Sequence, residues 1–248
     1  MGGPLFTVVC ATLLRPSYAQ LAWSVHAQSF RDFEFSARHE PDVNEYVSRN
    51  RAARAARGRY LVFCDDDAQL RLDHLKRLAE AISGNDDPPA LGGPLQGNMW
   101  GQGTVLLNEP TWGVGANMCF RADAFAELGG FEEDWGLGHP VKGWRSDTDL
   151  WWRTEEKYLG GPTWLPNLIV DHPGTMGATW QPEVEDVFFR RWRQKAIARF
   201  VPVDARLQQF LLETQELSPA EHSAVVSARR TLRARMPGLP VLPQEKAP

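Results

Sequence analysis

The chain has 248 residues, of which 43% are hydrophobic and 23% charged, which suits one large α/β domain better than two small ones. Its net charge of −4 argues against wholesale binding to nucleic acid, which needs a basic surface, but allows a local basic pocket. No stretch approaches the roughly 20 apolar residues that span a bilayer, so we predict no transmembrane segment.

The cysteines and the N-terminal apolar segment indicate the cellular compartment. Cys10, Cys64 and Cys119 each lie within an apolar run, where a thiol acts as a small hydrophobic side chain. Their odd number and spacing fit no zinc motif, which favours a reducing, cytoplasmic environment. The first apolar run follows no basic segment and precedes no small-residue cleavage site. We therefore interpret it as a buried strand rather than a signal peptide.

Strand-length apolar runs alternate with helical periodicity along the first third of the chain. The predicted strands cover residues 5–12, 33–37 and 60–64, and the predicted helices cover 17–28, 44–57 and about 70–84. Such alternation predicts βαβ units and a parallel sheet, in which ligands bind beyond the carboxyl ends of the strands. Asp65, Asp66 and Asp67 follow the third strand directly, at such an end.

Beyond residue 88 the sequence is rich in Gly, Pro and Trp. Short strands are predicted over residues 104–107, 114–120 and 167–170, and helices over 121–128, 146 to about 158, and after 181. Most of the ten tryptophans fall in this half. Their rings either fill an aromatic core or line a surface on which a sugar ring could stack.

The acidic triplet admits two interpretations. Adjacent carboxylates at the end of a buried strand repel one another, and a divalent cation removes that repulsion. Hard oxygen ligands suit Mg²⁺ or Mn²⁺, which usually hold substrate phosphates as well. Alternatively, the triplet is a solvated turn near the N-terminus of the next helix. The residues alone leave both open.

Two later segments carry further reactive groups. Ser146 followed by Asp149 resembles a capping box, and Asp149 can pair with Arg153 one turn later. Asp147 is less well explained by a cap, and beside a diphosphate and a metal it could act as a general base. His172 follows a short predicted strand. A loop histidine is more often a surface residue, although neutral imidazole is a common metal ligand.

The order of these segments carries a family resemblance. Residues 50–67 (NRAA…ARGRYLVFCDDD) match an RN-x-A…G-x-Y…D-x-D pattern, and residues 115–133 (GANMCFR…GGFEE) match a GGFDE region. Residues 143–153 match a GW…D-D-L…R segment, found also in a galactosyltransferase-like branch. On these motifs residues 5–175 resemble the family 2 glycosyltransferases of the GT-A fold. The resemblance implies an α/β fold with a mostly parallel central sheet flanked by helices, followed by a helical C-terminal extension.

The resemblance also implies a domain organisation. Residues 1–180 would form the catalytic domain, with a nucleotide-binding half over 1–87 and an acceptor-binding half over 88–180. Residues 181–236 would form the helical extension, and 237–248 a flexible tail. The sequence leaves three roles open for the arginine-rich extension: packing on the sheet, binding an acidic partner, or forming a homodimer.

Carried over residue by residue, the resemblance implies a site. Asp65 and Asp67 would form the D-x-D pair, with Asp65 near the donor ribose or the metal. His172 would be the third metal ligand, and Asp147 the catalytic base. Glu40, with His39, stands where the family has two aspartates that contact the nucleoside. The donor-binding residues implied are Thr12, Pro16, Glu40, Asp65, Asp66 and Trp144.

The implied reaction moves a sugar from a nucleotide-diphosphate donor to an acceptor hydroxyl, with Mn²⁺ or Mg²⁺ as cofactor and with inversion. The acceptor could be a glycan, a lipid-linked molecule or a small molecule. A retaining glycosyltransferase on the same fold would differ only in the product anomer. A nucleotidyltransferase would share the nucleotide site, but the chain has no G-x-x-x-x-G-K phosphate loop. A non-catalytic carbohydrate-binding protein would explain the tryptophans but not the ordered acids.

Overall fold

The computed structural model describes residues 2–97, 104–108, 110–111, 113–135, 145–173, 182–202 and 204–235. The chain divides into two compact units, Met1–Trp180 and Gln181–Pro248. The first is a mixed α/β unit, and the second is helical where it is described. The predicted fold class is therefore confirmed.

Ten strands form two sheets within the described part of the first unit. In chain order they are β1 (Phe6–Thr12), β2 (Phe33–His39), β3 (Tyr60–Asp65), β4 (Gln69–Leu70), β5 (Ala90–Gly92), β6 (Leu95–Gly97), β7 (Val105–Leu107), β8 (Met118–Arg121), β9 (Thr163–Trp164) and β10 (Val170–Asp171). The larger sheet has the order β2-β1-β3-β8-β5-β9, and the smaller has the order β4-β10-β6-β7. The helices of this unit are α1 (Tyr18–His26), α2 (Glu45–Ala55), α3 (His74–Gly84), α4 (Ala122–Glu127) and α5 (Ser146–Lys157).

The register of the larger sheet positions the acidic triplet. β1 pairs in parallel with β2 and β3, so that Ala11 lies opposite Asp65 and Thr12 opposite His39. The carboxyl ends of these strands therefore meet at one edge, as the sequence predicts. β8 runs antiparallel to both of its neighbours, β3 and β5. That reversal falls in the Gly- and Pro-rich half, where the sequence pattern carries no direction.

Alternating side chains of β1 and β3 supply both faces of the sheet. One face contributes Phe6, Val8, Tyr60 and Val62 to a core shared with the apolar sides of α1 and α3. On the other face, Phe63 begins an aromatic cluster. Its members are Tyr46, Phe63, Phe120, Phe125 and Phe131, with ring centroids 5.0–6.4 Å apart in the contacting pairs. Each such buried side chain contributes about 1.5–3 kcal/mol.

Three element boundaries differ from the sequence-based expectation by more than two residues. α3 begins at His74 because Gln69–Leu70 forms β4 instead, antiparallel to β10. The strand expected from residue 114 begins only at Met118, because Gly115–Asn117 forms a 3₁₀ turn first. The strand expected over 167–170 is Val170–Asp171, which lies next to His172.

The second unit contains three described helices, α6 (Pro182–Arg199), α7 (Ala205–Thr214) and α8 (Pro219–Arg235). Asp204 caps α7 by accepting hydrogen bonds from two backbone N–H groups. Arg193 of α6 pairs with Glu221 of α8, with Nε and Oε1 2.6 Å apart. No helix in the described part of the chain is both long and apolar enough to cross a bilayer. The three cysteines are free and buried, as their apolar contexts predict.

Candidate active site

Asp66 organises the loop that follows β1. It is 2% exposed, and its Oδ2 accepts hydrogen bonds from Thr12 Oγ1 at 3.0 Å and from the Leu13 backbone N–H at 3.2 Å. Arg15 donates from Nε to the same oxygen at 3.3 Å and contacts Oδ1 through Nη2. Asp66 therefore joins the ends of β1 and β3. Protein donors already occupy most of its hydrogen-bond acceptor sites.

Asp65, Asp67 and His172 converge in front of the same edge. His172 Nε2 lies 3.2 Å from Asp65 Oδ2 and 3.2 Å from Asp67 Oδ1. One ligand atom from each side chain lies within 4.8 Å of the other two. His172 is held there because β10 pairs in parallel with β6, and its backbone N–H continues the ladder to Gln96 O at 2.8 Å. The acids and the imidazole are thus fixed by separate sheets.

The electrostatics of this cluster favour cationic partners. Burial alone would lower the pKa of His172, but its hydrogen bonds to Asp65 and Asp67 raise it to about 10. Burial alone would raise the pKa of Asp67, but the contact with His172 and the charge of Arg15 hold it below its ordinary value. Two carboxylates and one imidazole are also a ligand set that a divalent metal accepts. The three side chains can therefore hold such an ion.

Asp147 is the second residue of α5, and backbone amides hold it on both sides. Its Oδ2 accepts the Gly115 N–H at 3.1 Å, and its Oδ1 accepts the Thr148 N–H at 2.8 Å. Burial raises the pKa of Asp147, whereas these two N–H groups and the charges of Arg49 and Arg145 limit the rise. A carboxylate in such surroundings is a stronger base than an exposed one.

The start of α5 is not a capping box. Ser146 is the first helical residue, and its Oγ accepts the Glu132 N–H at 2.7 Å instead of capping the helix. Arg145, at φ 64°, turns the chain into the helix. The predicted pair between Asp149 and Arg153 is confirmed, with Arg153 Nε 2.6 Å from Asp149 Oδ2.

The other predicted donor-side residues lie in different settings. Thr12 is buried against Asp66, whereas Pro16 is exposed in the loop after β1. Glu40 follows β2, and its Oε1 accepts from Arg38 at 3.2 Å and Arg51 at 3.1 Å. Trp144 lies outside the described residues.

Part of the chain matches a known protein family. Residues 26–102, which include β2, α2, β3 and the acidic triplet, match the family model "Glycosyl transferase family 2". No curated protein sequence matches the chain. The family 2 resemblance predicted from the sequence motifs is therefore confirmed over residues 26–102.

Two solved structures show the same fold. One is the mannosyltransferase PcManGT from Pyrobaculum calidifontis in complex with GDP-Man and Mn²⁺, at 14% identity and a TM-score of 0.52, covering 98% of this chain and 77% of that one. The other is Staphylococcus aureus TarS 1–349 in complex with UDP-GlcNAc, at 15% identity and a TM-score of 0.57, covering 97% of this chain and 82% of that one. At these identities the likeness concerns the fold.

Several residues of the family 2 motifs hold a loop rather than face the acids. Asn50 Nδ2 donates to Phe131 O at 2.9 Å, and its Oδ1 accepts the Phe131 N–H at 3.0 Å. Arg153 donates to the carbonyls of Leu128 and Gly130. Gly130 has a φ of 75° and leaves no room for a Cβ beside Asn50 Oδ1. These residues fix the turn that follows α4.

Two arginines belong to the site although they are absent from the predicted set. Arg15 contacts Asp66, and its Nη1 lies 3.8 Å from Asp67 Oδ2. Arg49, 3% exposed, contacts Asp65 through Nη2. One signal was available for Arg49: α2 has few apolar residues, so polar side chains must occupy part of its inward face.

The buried tryptophans of the described residues belong mainly to the core. Trp151 and Trp152 of α5 are 1% and 0% exposed, and their indole N–H groups donate to the carbonyls of Pro110 and Thr111. Trp135 and Trp192 are also buried, whereas Trp23 is 62% exposed. Core packing therefore accounts for these four buried rings.

Proposed function

We propose that the chain transfers a sugar from a nucleotide-diphosphate donor to an acceptor hydroxyl, in a metal-dependent reaction with inversion of the anomeric centre. The observation that carries the proposal is the convergence of Asp65, Asp67 and His172 at the carboxyl edge of the sheet. The solved relatives were captured with GDP-Man and Mn²⁺ and with UDP-GlcNAc, which supports a donor of this class.

The three converging side chains would hold Mn²⁺ or Mg²⁺. Such an ion, when bound, neutralises negative charge that builds on the leaving diphosphate. Asp66 keeps the β1 loop closed against the acids, and Thr12 is the hydroxyl nearest to it in that loop. Pro16, Glu40 and Trp144 complete the proposed donor side.

Asp147 would act as the general base. Its carboxylate accepts the proton of the acceptor hydroxyl while the acceptor oxygen bonds to the anomeric carbon, and the bond from that carbon to the diphosphate oxygen breaks. A single displacement of this kind inverts the anomeric centre. The raised pKa of Asp147 brings its proton affinity closer to neutral pH, where a general base is effective.

The first test identifies the donor. Thermal unfolding is measured with UDP-, GDP- and dTDP-sugars, each with Mn²⁺ and with EDTA, because a bound ligand raises stability by mass action. We expect one nucleotide series to raise the melting temperature in the presence of Mn²⁺ only. Equal shifts with Mn²⁺ and with EDTA would contradict the metal dependence, and no shift in any series would contradict the donor class.

The second test separates binding from chemistry. Asp147→Asn preserves the shape and one of the two N–H contacts but removes the proton acceptor, so transfer should fall by roughly 10²–10⁴-fold. Donor affinity should survive, because the donor is held at the opposite acids. A transfer rate close to that of the wild type would remove Asp147 from the mechanism. A joint fall in rate and affinity would indicate a structural role, and the anomer of the product distinguishes inversion from retention.

A further inference from the structure

Arg49 is a buried cation that the proposed mechanism does not use. It lies on the inward side of α2, 3% exposed, with its guanidinium carbon 5.7 Å from the centroid of the Phe131 ring. One terminal nitrogen, Nη2, contacts Asp65 Oδ1. Its Nε has no hydrogen-bond partner among the described residues. A buried charge that leaves a donor unsatisfied is a poor way to stabilise a fold, since an apolar side chain of similar size would often serve better.

The other terminal nitrogen of Arg49 faces the acceptor side. A Cβ added to Gly115 would lie 2.6 Å from Arg49 Nη1, so the guanidinium packs directly on the Gly115 backbone. Gly115 in turn donates its N–H to Asp147 Oδ2. One planar group thus touches Asp65 on one side and, on the other, the residue that holds Asp147.

We infer that Arg49 is a positioning residue that couples the donor-side acid Asp65 to the acceptor-side acid Asp147. The fork of the guanidinium fixes the Asp65 carboxylate in one orientation, and its other arm fixes the Gly115 amide against which Asp147 is set. The inference rests on the proposed function, because it assigns Asp65 and Asp147 to donor and acceptor.

The charge of Arg49 has a second consequence at Asp147. Among the residues that the structure describes, the titratable and charged groups that act on Asp147 are Tyr46 and Arg49 from α2 and Arg145 from the turn before α5. Tyr46 is neutral at working pH because burial raises the pKa of its hydroxyl well above the ordinary value. Removing the cation at Arg49 leaves Arg145 as the only one of these three groups that favours the carboxylate. The Asp147 carboxyl should then bind its proton more tightly.

The experiment compares Arg49→Met with Arg49→Lys, and uses Arg54→Met as the matched control. Arg54 lies on the same helix, its side chain is 65% exposed, and its Nη1 is 3.6 Å from Glu133 Oε1. Two quantities are measured in the full chain: the pKa of Asp147, from carboxyl ¹³C NMR assigned with Asp147→Asn, and the affinity for UDP or GDP with Mn²⁺, from calorimetry.

In Arg49→Met we expect the Asp147 pKa to rise by about one unit and the Mn²⁺–nucleotide affinity to fall about tenfold. Arg49→Lys should keep the Asp147 pKa near that of the wild type, since the charge remains, but lose affinity, since the fork is gone. Arg54→Met should change neither. An unchanged Asp147 pKa or an unchanged affinity in folded Arg49→Met would overturn the inference.

A second variant covers the case in which Arg49→Met does not fold. Gly115→Ala keeps every charge but pushes the guanidinium away from the backbone, and we expect a smaller rise in the Asp147 pKa together with weaker nucleotide binding. If the Asp147 pKa and the nucleotide affinity of Gly115→Ala both match the wild type, Arg49 does not couple Asp65 to Asp147. Should the wild type bind neither nucleotide, the proposed function fails by itself, and the Asp147 titration in the same variants still decides whether Arg49 couples to Asp147.

Discussion

The two ends of β3 carry acids in opposite circumstances. At the amino end, Asp87 is a single carboxylate that accepts the Tyr60 hydroxyl at 2.5 Å, and Arg59 and Arg121 lie 2.6 and 3.7 Å from its Oδ2. At the carboxyl end, three consecutive aspartates share Arg15, Arg49 and His172. At the first end the carboxylate is paired on its own with cations from neighbouring elements, whereas at the second end three consecutive carboxylates are packed closely together.

This difference separates a structural acid from candidate binding acids. Asp87 is paired by groups on neighbouring elements, and burial, which would raise its pKa, is outweighed by Tyr60 and Arg59, which lower it. In the carboxyl-end group, Asp66 is likewise committed to the β1 loop. Asp65 and Asp67 instead turn toward a histidine from another sheet, and such convergence from separate elements is typical of a ligand site.

The largest effect should come from Asp67→Asn. Removing one charged group of the proposed metal site should weaken binding of Mn²⁺ with UDP or GDP by about 2–4 kcal/mol, or roughly 30–1000-fold. Calorimetry measures it, and circular dichroism checks that the variant is folded. The matched variant Asp87→Asn, at the other end of β3, should bind like the wild type. Equal losses of affinity in both variants would contradict the distinction between the acids at the two ends of β3.

His172→Gln should have an intermediate effect. Glutamine keeps a polar side chain of similar reach but offers a weaker ligand atom than imidazole, so affinity for Mn²⁺ with the nucleotide should fall roughly tenfold. Mn²⁺ titration followed by electron paramagnetic resonance reports the metal directly. The exposed histidine His26 provides the control, and His26→Gln should leave the titration unchanged. If His172→Gln also leaves it unchanged, His172 is not a ligand.

Asp87→Asn should instead reduce stability by about 1 kcal/mol, because it weakens ion pairs with two partly exposed arginines. Asparagine tolerates the left-handed backbone at this position, where φ is 61°, so the loss should come from charge rather than strain. Chemical denaturation measures it. A variant as stable as the wild type would mean that the amino-end pairs contribute nothing.

The sequence is informative where a pattern has a physical period. Alternating strands and helices predicted the first three βα units and placed the acidic triplet at the carboxyl end of β3, and the structure agrees. The directions of β8 and of the smaller sheet were not predictable, because Gly- and Pro-rich segments carry no period that distinguishes parallel from antiparallel pairing.

The site was predictable in its acids but not in its cations. Asp65, Asp67 and His172 were implied by the family resemblance, and the structure brings them together. Arg15 looks like an ordinary surface arginine in the sequence, and the polar composition of α2 does not single out Arg49, since burial of a cation depends on the tertiary partners that surround it. The motif residues Asn50 and Arg153 turned out to hold a turn, so a family pattern mixes groups that bind with groups that fold.

The smallest expected effect concerns pH and has opposite signs at the two ends. The folded pKa of Asp87 is lowered, so its stabilisation is complete above the unfolded value of about 3.9 and is lost as pH falls through the lower folded value. Asp147 lies near the carboxyl end of β3, because it accepts the N–H of Gly115, which precedes β8. Burial raises the pKa of Asp147. Its ionised form therefore destabilises the fold at neutral pH, and protonation relieves that cost as pH falls through the raised value.

As pH rises from 3 to 7, the melting temperature of Asp147→Asn should consequently rise relative to that of the wild type, by about 2–4 °C for each 1 kcal/mol of relief, on top of any constant loss from the missing N–H contact. Asp87→Asn should melt lower at pH 7, and its deficit should shrink as pH falls. Differential scanning calorimetry between pH 3 and 7, with EDTA present throughout, measures both series. The two carboxyls are compared in one protein and one buffer series, so a global acid effect cancels in the difference. If the melting temperatures of both variants fall relative to the wild type as pH rises, burial does not dominate the pKa of Asp147. Asp147 would then be a structural acid like Asp87.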